Sequence, residues 1–342
     1  MAVQGPIVIT GASSGIGAAC ARYLDALGFT VWAGVRGAQD GEALTRLASS
    51  RLRVLMLDVT DPASIEAARK TLAEDTRDTG LAGLVNNAGI SVAGPLELLP
   101  LAEVRTQFEV NVIGALAVTQ ALLPLLRRAR GRIVNISSIA GLAATPFLGA
   151  YCSSKFALEA MSDALRLELA PWGISVSLVE PGAIQSQIWQ RATMSATRTL
   201  GGVDPEALAL YAQPLSRMQE VMAAAAARAI PAEVVARVVA DALIAARPRA
   251  RYLVGKDARF RAMLKWILPD CAQDRLLAWF LGLPPPGLAG CGNSPPAAFS
   301  RRSGVHRTAR VRFPLRLLRP CWTAFLRILR VIVKSTRRMS GS

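Results

Sequence analysis

The chain has 342 residues, 52% of them hydrophobic, with five cysteines, one histidine and a formal net charge of +16. That length holds one large α/β domain or two small ones, with ample apolar material for a buried parallel sheet. Cys20, Cys152, Cys271, Cys291 and Cys321 form neither a CxxC pair nor an even framework, which argues against zinc and structural disulfides and for a reducing cytoplasm. His306 is the single histidine, so a Ser-His-Asp hydrolase or a His-ligated centre has nothing to build from and no metal is expected.

No charged segment with an apolar core precedes Ile7, so no cleaved signal peptide is expected. The apolar strand Ile7–Thr10 runs into Thr10-Gly11-Ala12-Ser13-Ser14-Gly15-Ile16-Gly17 and then a helix predicted over Ala18–Leu27. Strand, glycine turn and helix in that order seat a dinucleotide pyrophosphate on a helix N-terminus. The glycines let the backbone turn tightly and approach the phosphates. A second strand, Thr30–Val35, ends at Arg36 with no carboxylate before Asp40. An acidic residue there would bond the adenosine 2′-hydroxyl, whereas a guanidinium suits a 2′-phosphate. The pattern favours NADP(H) over NAD(H), with Arg36 as a solvated loop residue the alternative.

Leu52–Asp58 and Gly83–Asn86 are the next strands. Asp58 either accepts from an adenine amino group or caps the helix predicted over Pro62–Thr76. After the fourth strand, in Asn86-Asn87-Ala88-Gly89, the small residues admit a cofactor close to the backbone and the amides tie strand ends together. A helical pattern over Leu101–Arg128 contains Asn111, a poor helix former in an apolar setting. Ser138 follows the strand Arg132–Ser137; a hydroxyl there bonds a substrate oxygen as charge develops on it, or simply caps a turn.

Tyr151 and Lys155 stand one helical turn apart at the start of the pattern Ser153–Ala170. A free tyrosine, with a pKa near ~10, is a poor base at neutral pH. A neighbouring ammonium favours the phenolate, and Tyr151 can then exchange a proton with an alcohol or carbonyl as hydride moves. Strand Ile174–Glu180 leads to Pro181-Gly182-Ala183-Ile184. Strands apolar on both faces, alternating with helices, predict a doubly wound Rossmann-type αβα sandwich with a parallel sheet and ligands at its carboxyl ends.

These elements, in this order, resemble the short-chain dehydrogenase/reductase family over residues 5–283. The resemblance implies catalysis by Asn111, Ser138, Tyr151 and Lys155. Lys155 would also hold the nicotinamide ribose hydroxyls, and Asn111 a water that relays protons to Lys155 unless it is only a core amide. Cofactor contacts are implied for Gly11, Ser13, Ser14, Gly15, Ile16 and Gly17, and for Arg36, Asp58 and Val59. Further contacts fall to Asn86, Ala88 and Gly89, to Tyr151 and Lys155, and to Pro181, Gly182, Ile184 and Ser186, where Ser186 stands in for a frequent Thr. Arg251-Tyr252-Leu253-Val254-Gly255, with the helices after it, is similar to the branch acting on steroids, retinoids and related lipids. The implied reaction interconverts a secondary alcohol and a ketone or aldehyde on a hydrophobic substrate, in a homo-oligomer. A 3-oxoacyl thioester reductase would share every catalytic residue, and a non-catalytic, membrane-associated cofactor-binding protein is the alternative from another class.

Residues 185–230 break the alternation and predict a mobile helical flap over the substrate. Leu264–Leu268 and Leu276–Leu283 read as short closing helices, so 1–255 is the catalytic domain and 256–285 its helical closure. Pro284-Pro285-Pro286-Gly287 stops them, and 286–304 is a linker. Twelve of the 40 basic residues and none of the 24 acidic ones lie in 301–342. In the tail 305–342, basic residues at 327, 330, 334, 337 and 338 fall opposite Trp322, Phe325, Ile328, Leu329 and Ile332 at helical spacing. That is the pattern of an interfacial membrane helix over 321–338. A disordered extension or a macromolecular partner fits as well, but nothing reads bases, so no specific nucleic acid is expected. No run of about 18 uninterrupted apolar residues appears, and no spanning helix is expected.

Overall fold

The computed structural model describes residues 5–46, 48–186 and 200–283. They belong to the first of two compact units, Met1–Ala289 and Gly290–Ser342. The linker, the basic tail and residues 187–199 of the expected flap lie outside the described residues.

Seven strands are present: β1 Ile7–Ile9, β2 Val31–Val35, β3 Leu52–Met56, β4 Gly83–Asn86, β5 Arg132–Ile136, β6 Ser175–Pro181 and β7 Arg251–Val254. They form one parallel sheet in the order β3-β2-β1-β4-β5-β6-β7. Period-two alternation sends Ile7 and Ile9 to one face and Val8 to the other, and all three are fully buried. Ile7 and Ile9 pack with Leu24 of α1 (Gly15–Ala26) and with Val235, Val239 and Leu243 of α9 (Ala232–Ile244). Val8 packs on the other face with Leu72 of α3 (Pro62–Asp75) and Val118, Leu122 and Leu126 of α5 (Gly114–Ala129). Because helices cover both faces, the inner strands β1 and β2 show no polar side, whereas the edge strand β3 leaves Arg53 and Met56 exposed. Each large apolar side chain so buried contributes about 1.5–3 kcal/mol.

The strand order reverses at β1, whose neighbours are β2 and β4. A crevice opens at that switch point, outside the carboxyl ends of the strands. Along one edge of it runs a long helix made of α4 (Leu101–Phe108), a π-helical turn at Glu109–Ile113, and α5. By length and composition Leu101–Ala129 could cross a membrane, but half of its apolar window is buried inside the fold. It packs on α3, on β4 and on α6 (Gly149–Glu168), as a core helix does.

The remaining helices are α2 (Ala38–Thr45), α7 (Pro205–Ala209), α8 (Ala212–Ala227), α10 (Lys256–Ile267) and α11 (Asp270–Leu281). The last two are longer than the sequence pattern predicts. Helix α3 begins at the cap Asp61, whose side chain accepts from Ala63 N, with Pro62 at its first position. Asp58 is therefore not that cap; its carboxylate instead holds the turn at Thr60.

Candidate active site

The ends of β1 and β4 are tied together by Thr10 and Asn87. Thr10 Oγ1 accepts from the backbone amides of Asn87 and Ala88 at 3.0 and 2.9 Å. Asn87 Nδ2 donates to the carbonyls of Thr10 and Gly11 at 3.0 and 2.9 Å. Gly11 sits at φ +63°, and a Cβ there would lie 2.8 Å from the Ala88 backbone. A Cβ on Gly17 would overlap the Gly11 carbonyl, so this glycine lets α1 close onto the turn. Ser14 precedes α1 in extended conformation without a side-chain cap, which leaves the first-turn amides facing the crevice.

A cleft of about 530 Å³ starts there. Of the expected cofactor residues it is lined by Gly11, Ser13, Ser14, Gly15, Ile16, Arg36, Asp58, Val59, Ala88, Gly89, Pro181, Gly182, Ile184 and Ser186. Ser138, Tyr151 and Lys155 line the same space. The glycine-walled end, where Gly11 leaves no room for a Cβ against Ala88, fits a dinucleotide cofactor. Gly17, Asn86 and Asn111 stand behind the wall instead. Asn86 Nδ2 donates to Thr119 Oγ1 at 2.9 Å and Asn135 Oδ1 at 2.8 Å, tying β4 to β5 and α5. Strand alternation turns Asn86 inward and gives the cleft to Asn87.

Asn111 lies inside the π-helical turn, where an extra residue widens the helix, a common mark of functional positions. Its Oδ1 accepts from Ile90 N at 2.8 Å, and its Nδ2 donates to Ile90 O at 3.0 Å and Ser154 Oγ at 3.1 Å. One turn earlier the fully buried Gln107 repeats the pattern, accepting from Val92 N at 2.7 Å and donating to Ile90 O at 2.8 Å. Together they fix the loop Ile90–Val92, a cleft wall that sequence reading missed. The signal was present: two amides at i,i+4 in an otherwise apolar helix.

Tyr151 occupies the first turn of α6, which starts earlier than predicted, and Lys155 follows on the same face. Each is only 5% exposed. Lys155 Nζ donates to Ile136 O at 2.8 Å and stands 5.8 Å from the Tyr151 ring centre. Ser138 bonds the Tyr151 phenol, and its Oγ accepts from Ala140 N at 3.1 Å. Burial pushes the phenol up to about 12, with the Ser138 bond opposing. Burial also lowers Lys155 to about 8, with the Glu159 charge opposing. The sequence suggests that the ammonium would favour a phenolate; in the protein alone burial dominates and Tyr151 keeps its proton.

At the other end, Asp58 accepts from Thr60 N at 2.9 Å and Thr60 Oγ1 at 2.7 Å. The Thr60 backbone bond holds its carboxyl below the usual range, and the Arg36 charge adds to that. Asp40 lines this end too. Helix α10 braces the central loops. Asp257 Oδ2 accepts from Ala183 N at 2.7 Å, taking the space a Cβ on Gly182 would need. Arg261 Nη2 donates to Thr145 Oγ1 at 2.8 Å and Ala143 O at 3.2 Å.

The described part of the expected flap is helical. Leu215, Met218, Val221 and Met222 of α8 pack with Phe147, Leu148 and Tyr151, and Leu281 of α11 joins them. The Phe147 and Tyr211 rings meet edge to face at 6.3 Å.

Residues 6–196 match the family model for short chain dehydrogenases. The chain belongs to the short chain dehydrogenase family. This short chain dehydrogenase is 38% identical over 293 residues to retinol dehydrogenase 5 of Homo sapiens, which spans 81% of this chain and 89% of that protein. It is 38% identical over 289 residues to 11-beta-hydroxysteroid dehydrogenase type 2 of Oryctolagus cuniculus, covering 81% of this chain and 70% of that one. The crystal structure of a short chain dehydrogenase from Burkholderia cenocepacia in complex with NADP superimposes with a TM-score of 0.61 at 26% identity, over 81% of this chain and 99% of that one. The protein is thus an oxidoreductase of CH–OH groups, related to retinol and steroid dehydrogenases.

Proposed function

We propose that this short chain dehydrogenase interconverts a secondary alcohol and a ketone or aldehyde on a hydrophobic substrate such as a steroid, a retinoid or another lipid, with NADP(H) as cofactor. The observation that carries the reading is the convergence of Ser138, Tyr151 and Lys155 on one cleft, with Tyr151 packed into an apolar cluster of Phe147, Leu148 and α8. NADP(H), when bound, supplies or accepts the hydride. Tyr151 gives its proton to the substrate oxygen in reduction and takes it back in oxidation. Ser138 donates to the same oxygen and stabilises the charge that develops on it. Lys155 holds the nicotinamide ribose and provides a cation beside the phenol. Asn111 fixes the wall and touches Ser154, next to Lys155 in sequence. Arg36 takes the 2′-phosphate. The deciding experiment is a screen of ketosteroids, retinals and 3-oxoacyl thioesters, followed by NADPH absorbance; turnover confined to the thioesters would replace the substrate class.

Within a homologous ketone series, each added methylene should contribute near ~0.8 kcal/mol to binding until the apolar space is full. The slope of log kcat/KM against chain length measures it, and a flat line would count against a lipid-like substrate.

The reading extends to a homo-oligomer and to a cytoplasmic protein held at a membrane surface by 321–338. Deletion of 301–342 should leave turnover of a water-soluble substrate in place, since every proposed site residue precedes it. The same deletion should abolish most binding to anionic vesicles, and salt should weaken the full-length interaction, because surface charge is screened within about 10 Å at ~0.1 M. Co-sedimentation of both proteins at low and high salt checks this, and equal sedimentation would rule out the tail as anchor.

A further inference from the structure

Behind the candidate catalytic face lies a second cluster that the mechanism above does not use. Glu159 continues the stripe of Tyr151 and Lys155 down α6 and is buried, with a side chain only 7% exposed. Glu180, near the end of β6, is completely buried. The two carboxyl groups converge on one nitrogen, Arg251 Nε, which lies 3.2 Å from Glu159 Oε2 and 3.2 Å from Glu180 Oε1. Arg251 of β7 reaches both, with Nη2 3.1 Å from Glu159 Oε2 and Nε 3.2 Å from Glu180 Oε1. It also binds Asp163, one turn further along α6, at 2.7 Å. Above the pair, Gly141 closes the turn that Ser138 begins, and a Cβ there would lie 2.9 Å from Ser137 Oγ and 3.1 Å from Glu159 Cγ.

Asp163 is shared with Arg166, whose Nη2 lies 2.9 Å from Asp163 Oδ1, and so belongs to an outer pair. Glu159 and Glu180 themselves face one guanidinium, Arg251, and the Lys155 ammonium one turn away. Among the described residues Glu159 Oε1 and Glu180 Oε2 accept no hydrogen bond, and Glu180 Oε1 has only its ion pair with Arg251 Nε. Two facing buried carboxylates repel even with a guanidinium shared between them, and one proton held between them removes that repulsion.

We propose that Glu159 and Glu180 share one proton beneath Lys155, anchored by Arg251, and that this pair sets the pH range over which Lys155 keeps its charge. The pair is a positioning element, and its catalytic consequence rests on the role given to Lys155 above. Burial pushes the Glu180 carboxyl up to about 8, with the Glu159 charge adding and Arg251 opposing, and burial raises Glu159 as well. The groups facing the pair are Lys155 and Asp163 from α6, Ser137 after β5 and Arg251 from β7. Loss of the shared proton adds a negative charge one turn from Lys155, which then holds its own proton to higher pH. By linkage, removing the Lys155 charge must tighten the pair's hold on its proton equally.

The infrared carbonyl stretch of a protonated carboxylic acid reads the pair directly in the purified protein. The band should be present at neutral pH and fade as pH rises through about 8. Glu180→Gln and Glu159→Gln, on different elements and nearly isosteric, should each remove it. Lys155→Met should move its midpoint up by about one pH unit, the size expected for interacting sites. No band, a band surviving in both glutamine variants, or a midpoint indifferent to Lys155→Met would overturn the proposal. In kcat/KM profiles the alkaline limb of Glu180→Gln should move down by a similar amount, whereas a purely structural role would lower the rate at all pH values without moving the limb. An unmoved limb, with the infrared band responding to Lys155→Met, would leave the pair standing and overturn the catalytic reading of Lys155 instead.

Discussion

Turnover in Tyr151→Phe is expected to fall at least ~10²-fold while the fold and cofactor affinity persist. The substitution removes one oxygen and keeps the ring that packs against Phe147, Leu148 and Met218. Ser138 loses a partner but still accepts from Ala140 N, so no buried hydroxyl is stranded and the stability cost stays near ~1 kcal/mol. Reduction should suffer directly, because in the proposed mechanism the phenol is the group that gives its proton to the substrate oxygen. With the phenol pushed up to about 12, that proton is in place throughout the physiological range. Single-turnover rates with bound NADPH, measured beside thermal unfolding, separate chemistry from stability. Near-normal turnover would sink the mechanism.

The sheet was legible because strands covered on both faces must be apolar along their whole length, as Ile7–Ile9 and Val31–Val35 are. Strand β7 escaped that logic. It is an edge strand with a single partner, starting at a half-exposed Arg251 and Tyr252, so no apolar run announces it. The glycine turn, Arg36 and the Ser138–Tyr151–Lys155 group were readable because local spacing sets which backbone turns and helical faces they occupy. Asn86 was harder: whether Asn86 or Asn87 faces the cleft depends on one step of strand alternation, which the motif alone leaves undetermined. The helix holding Asn111 read as one segment, since a π-helical turn leaves the apolar pattern almost unbroken. Glu159, Glu180 and Arg251 come from three elements far apart in sequence. Each looked like an ordinary charge until the sheet brought them together.

Replacing Arg36 by Asp is expected to invert the cofactor preference, lowering the NADPH-to-NADH ratio of kcat/KM by about 10²-fold. Arg36 lies just beyond β2, on the cleft and exposed, close enough to Asp58 for its charge to favour that carboxylate. A hydrogen bond to a charged group contributes about 1.5–3 kcal/mol, so loss of the guanidinium alone accounts for about a tenfold to hundredfold change. The introduced carboxylate then acts in both directions. It repels a 2′-phosphate at an end of the cleft already carrying Asp40 and Asp58, and it accepts from the 2′-hydroxyl of NADH. Because Arg36 is exposed, salt should weaken the use of NADPH by the wild-type protein while leaving NADH kinetics nearly constant, if Arg36 holds the 2′-phosphate as proposed. Both measurements use the same steady-state assay with a single ketone. A ratio unchanged by the substitution would mean that Arg36 makes no contact with the 2′-phosphate, and selection would then rest on the backbone of the turn after β2.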